Sequence, residues 1–62
     1  MGSTGLMYAA EKHLRLLADD PDASDSLARY YVGLAHEYGV PAERITALSG
    51  ISAARVQTYL ER

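Results

Sequence analysis

The chain has 62 residues, 48% of them hydrophobic, with no cysteine and a net charge of −2. That length allows one domain, residues 1–62, which buries only about 60% of the surface its unfolded form exposes. Without cysteine, neither a disulfide framework nor a thiolate zinc site can supplement so small a core, so packing must hold it together.

Met1 to Gly5 are small and polar apart from the initial methionine, and residues 1–4 read as a disordered end. Leu6, Ala10, Leu14 and Leu17 then recur at spacings of four, four and three, with Met7 alongside, which predicts a helix over residues 4–18. Glu11 and Arg15 stand in the favourable i,i+4 order on its outer side. Its stripe of Leu6, Met7, Leu14 and Leu17 can either cover the rest of the chain or form a homodimer seam.

The stretch DDPDASDS ends this helix, because Pro21 disfavours helix at the residue before it and the Asp and Ser side chains compete for backbone hydrogen bonds. Ser24, Asp25 or Ser26 can cap a second helix that runs to Tyr38, with Leu27, Tyr31, Leu34, Ala35 and Tyr38 as its inner face. Gly39 suits a left-handed stop with Val40 folding back, and Pro41 suits the first turn of a third helix, PAERITAL. Ala42, Ile45 and Leu48 share the inward side of that helix. Gly50 closes it, Ser52 can cap a fourth, and Val56, Tyr59 and Leu60 are the buried side of the last. Alternation of period two never persists, so the expected fold is all-α: four short helices, a trihelical core with an additional N-terminal helix.

Ile45, Gly50, Ile51 and Val56 have the spacing of a helix-turn-helix: an apolar residue, a turn glycine, an apolar plug and an apolar residue in the second helix. The segment over residues 41–60 resembles the helix-turn-helix of lac-repressor-type and related bacterial and phage regulators. Leu48, Ser52, Tyr59 and Leu60 also match, while Thr46 and Ser49 stand where that family often has alanine. The resemblance implies a small transcriptional regulator that binds double-stranded DNA sequence-specifically, with the helix after Ser52 in the major groove. Ser52, Ala53, Ala54, Arg55, Gln57 and Thr58 are then its DNA-binding residues. Arg44 and Arg62 join Arg55 and Arg29 as phosphate partners.

Charge sets a rival beside this reading. Residues 1–26 carry −3 and residues 27–62 carry +1, an unusual balance for a nucleic-acid binder. The alternative is a protein partner bound by the same scaffold. His13 and His36 lie on different helices with no cysteine nearby, the aspartates of 19–25 lack the glycine and glutamate of a calcium loop, and no serine or histidine has an acid–base partner. Neither metal, cofactor nor catalysis is expected. No apolar run approaches the roughly 20 residues of a membrane span, and no signal-peptide pattern opens the chain, so a cytoplasmic location is expected.

Overall fold

The computed structural model describes residues 2–61, with side chains from residue 5. All regular structure in them is helical: α1 (Gly2–Ala18), α2 (Asp25–Glu37), α3 (Ala42–Ser49) and α4 (Ala53–Leu60). Helix α1 starts two residues earlier than its apolar spacing predicts. Met1, expected at the disordered end, and Arg62, expected at DNA, lie outside the described residues. None of the described helices is long and apolar enough to cross a membrane.

Each helix end has an identifiable cause. Of the three candidate caps for α2 the chain uses Ser24, whose hydroxyl accepts from the Leu27 amide at 3.1 Å. At the other end Gly39 takes φ 95°, its amide donates to the His36 carbonyl at 3.1 Å, and the Val40 amide donates to that of Ala35 at 3.0 Å. This paired closure folds Val40 back into the core, where it is buried. Pro41 stands one residue outside α3, in extended conformation, and its carbonyl accepts from the Arg44 and Ile45 amides.

The link from α3 to α4 is three residues long. Gly50 ends α3 at φ 76°, a left-handed conformation that an L side chain adopts only with strain. The Ser49 hydroxyl donates to the Ile45 carbonyl at 2.6 Å and accepts from the Ile51 amide at 3.2 Å, so it joins the last turn of α3 to the link. Ser52 then caps α4, accepting from the Arg55 amide at 3.3 Å. Serine at position 49 supplies two hydrogen bonds that an alanine lacks.

Each helix places at least one side chain in full burial: Leu14, Val32, Ile45 and Val56 meet, with Val40 beside them. Helices α1 and α4 each pack against α2 and α3 without approaching each other. The additional N-terminal helix covers α2 and α3, contributing Ala10, Leu14 and Leu17 to the core. Leu14 and Leu17 are thereby unavailable to the homodimer seam. Of its four residues, Met7 packs against the core and Leu6 remains 47% exposed.

Two further expectations are corrected. The inward line of α2 is Ala28, Val32 and Ala35, while Leu27 is 39% exposed and Tyr31, Leu34 and Tyr38 are half-buried. Helix α2 packs against all three others, as α3 does, and the alanines at 28 and 35 let its neighbours approach closely. Glu11 does not pair with Arg15; its carboxylate meets Arg44 of α3 instead.

The two hydroxyls of α3 should respond oppositely to removal. Ser49→Ala orphans the buried end of the link and should destabilise the fold by about 1–2 kcal/mol, a drop of several degrees in thermal midpoint. Thr46 Oγ1 is buried without a partner, so Thr46→Val should hold or raise that midpoint. Equal losses in the two variants would contradict these assignments.

Candidate functional site

Helix α4 buries Val56 and half-buries Tyr59 and Leu60, so its 3.6-residue turn leaves Ala54, Gln57 and Thr58 on the outer side, with Ala53 in the first turn toward α3. All four are exposed, with Ser52 at their head. The Thr58 hydroxyl donates to the Ala54 carbonyl at 3.0 Å, which leaves it an acceptor toward any ligand. This brings together the sequence-predicted residues of the recognition helix. The short side chains of Ser52, Ala53, Ala54 and Thr58 let another surface come close to the helix backbone.

Beside this face, an open cleft of about 390 Å³ separates α4 from the start of α3, lined by Ala42, Glu43, Thr46, Ala53 and Gln57. Glu43, which sequence reasoning did not single out, thus puts a carboxylate next to Gln57. Arg44 follows it but turns to the opposite side of α3. Its Nε lies 2.6 Å from Glu11 Oε2 and its Nη2 3.4 Å from Oε1, joining α3 to α1. Arg44 is therefore not placed with the α4 residues. Its side chain stays 51% exposed while that of Glu11 is only 13% exposed.

Arg55 lies at the α2 edge of α4. Its Nη2 donates to Asp25 Oδ1 at 2.9 Å and to the Tyr59 hydroxyl at 2.5 Å, and the Tyr59 hydroxyl in turn donates to Asp25. The guanidinium groups of Arg55 and Arg29 each lie 5.6 Å from the centre of the Tyr59 ring. Asp25 opens α2, where the helix dipole also favours an anion. Two of the arginines expected at phosphate are thus engaged within the chain, one on α1 and one on α2.

Both pairings shift titrations. The hydrogen bond from Arg44 holds the Glu11 carboxyl below the usual range for glutamate, with the charge of Arg44 adding to it. The hydrogen bond from Tyr59, followed by that from Arg55, holds Asp25 below the range for aspartate. Donation to Asp25 and desolvation raise the Tyr59 phenol, so it keeps its proton. Sequence inspection missed Asp25, Tyr59 and Glu11 as partners because each pairing spans 30 or more positions. No periodicity reports such a contact.

A second, larger concavity of about 710 Å³ lies between α2 and α4, over Gly33, with Tyr30, Leu34, Tyr59 and Leu60 on its walls and Arg29, His36 and Glu37 at its edges. Tyr30 is exposed and meets Tyr31 edge-on at 5.4 Å between ring centres, while Tyr31 stacks on His13 at 4.7 Å. Neither histidine lies within a group of three ligand-type side chains among the described residues. No protein-family model matches the chain, no curated protein matches it, and no solved structure matches it.

Lowered carboxyl pKa values fix the sign of the acid response. Stabilisation from Glu11 and Asp25 is complete at neutral pH and is lost as pH falls through their folded-state values. The thermal midpoint should therefore drop between pH 7 and pH 3, and the double variant Glu11→Gln, Asp25→Asn should show a smaller drop. An identical drop in both proteins would place the acid sensitivity elsewhere.

Proposed function

We propose that the chain binds double-stranded DNA through its helix-turn-helix, with α4 in the major groove, as a small transcriptional regulator. The observation that carries this reading is the outer face of α4: Ala53, Ala54, Gln57 and Thr58 exposed together behind a capped N-terminus, immediately after the Gly50 turn. A helix entering a major groove about 12 Å wide must bring its N-terminal residues to base edges. Short side chains favour that approach. Gln57 can make a paired contact with adenine, and the alanines and the Thr58 methyl can contact a thymine methyl.

Phosphate contacts come from Arg55 and Arg29 and from backbone amides after Ser52. Arg44 can contribute only by leaving Glu11. So few contacts make for weak binding by one copy, and recognition of an extended site uses two copies, each presenting its own α4. Because Leu14 and Leu17 are spent in the core, a pairing surface would have to use other side chains.

The second reading, a protein-binding module, draws on the concavity between α2 and α4 and its aromatic wall. It competes because the Asp25 pair lowers the free positive charge at α4, and the Glu11 pair holds Arg44 away from it. A salt titration separates the two. Fluorescence anisotropy with labelled mixed-sequence duplex should give binding at low ionic strength, with a log K against log salt slope of about −2 for two phosphate contacts. The double variant Gln57→Ala, Arg55→Ala should remain folded and lose this binding. Absence of binding at tens of micromolar near 50 mM salt would sink the DNA reading and leave the protein module.

A further inference from the structure

Asp25 is held by the donors that a phosphodiester oxygen takes from proteins: a guanidinium N–H and a tyrosine hydroxyl. Arg29 adds a second positive charge against the same tyrosine ring. The carboxylate enters from α2 and both of its donors from α4, so one anionic oxygen bridges the proposed recognition helix to its support. The bridge lies open to water, with the Arg55 and Asp25 side chains 60% and 61% exposed. An anion arriving from solvent can therefore reach it without unpacking the core.

We propose that Asp25 is an internal competitor for DNA phosphate: in the free chain its carboxylate occupies the anion site formed by Arg55 and Tyr59, and DNA binds by exchanging a backbone phosphate for it. This rests on the DNA-binding reading above. The exchange leaves Asp25 ionised beside an incoming phosphate, and that repulsion holds affinity down. Asp25 thereby sets the strength of binding. It also gives a physical role to an aspartate in a contact where a DNA-binding chain would otherwise gain from a neutral residue.

The test compares the full chain with Asp25→Asn, Asp25→Ser, Asp22→Asn, Arg55→Gln and the double variant Asp25→Asn, Arg55→Gln. Each is checked for helix content and melting, then titrated with a labelled mixed-sequence duplex at several salt concentrations. Asp22→Asn removes the same charge from the neighbouring loop and controls for net charge. Asp25→Asn should bind about tenfold more tightly than the unaltered chain, with a log–log slope little changed, since Arg55 meets the same phosphate in both complexes. Asp25→Ser, a residue at home in a first helical turn, should do the same if the asparagine variant folds poorly. Asp22→Asn should change affinity less than about twofold, and the gain should vanish in the Arg55→Gln background.

A gain equal to that of Asp22→Asn, or one that survives Arg55→Gln, would overturn the proposal by reducing it to net charge. Arg55-dependent binding by the unaltered chain with no gain in Asp25→Asn would overturn the competitor role while leaving the DNA reading intact. No binding by any variant would overturn both.

Discussion

The positive φ of Gly50 directs everything that follows it in the chain. A glycine can hold 76° without the steric penalty of a Cβ, and α3 can therefore stop and α4 leave within three residues. Two serine hydroxyls take up the amides that the turn frees, Ser49 at Ile51 and Ser52 at Arg55. With the turn set, Val56 of α4 and Ile45 of α3 both fall into the core. The outer side of α4 is left with Ala53, Ala54, Gln57 and Thr58, and the candidate site is a geometric consequence of the turn.

Charge is organised by helix pairing more than by net balance. Glu11 with Arg44 ties α1 to α3, and Asp25 with Arg55 and Tyr59 ties α2 to α4. The Asp25 pair is open to water, and such pairs contribute modestly to stability, so its larger consequence is where it holds the guanidinium group. One arginine is drawn to the far side of α3, and the other is held at the edge of α4. A chain of net charge −2 can still bring Arg55 and Arg29 together against the Tyr59 ring of α4.

The helix count, the Gly39 and Gly50 stops, the Val40 fold-back and the Ser52 cap were all legible in the sequence, because each depends on residues a few positions apart. What escaped was set by contacts between helices. Leu27, Tyr31 and Leu34 have the spacing of an inner face, yet the neighbouring helices take Ala28 and Val32 at the centre beside the expected Ala35. Glu11 and Arg15 have the spacing of a pair, yet Arg44 reaches Glu11 from another helix. The outer residues of α4 could be named from periodicity; the carboxylates at its two edges, Glu43 toward α3 and Asp25 toward α2, could not, since their placement depends on how α3 and α2 lie against α4.

The most direct test of DNA reading by α4 is a map of backbone amide chemical shifts as duplex DNA is added to the isotope-labelled chain. The largest changes should run from Ser52 to Thr58, with smaller ones at Asp25 and Arg29, and little change along α1. Changes confined to Tyr30, Gly33 and Leu34, or none while the duplex is in excess, would contradict it.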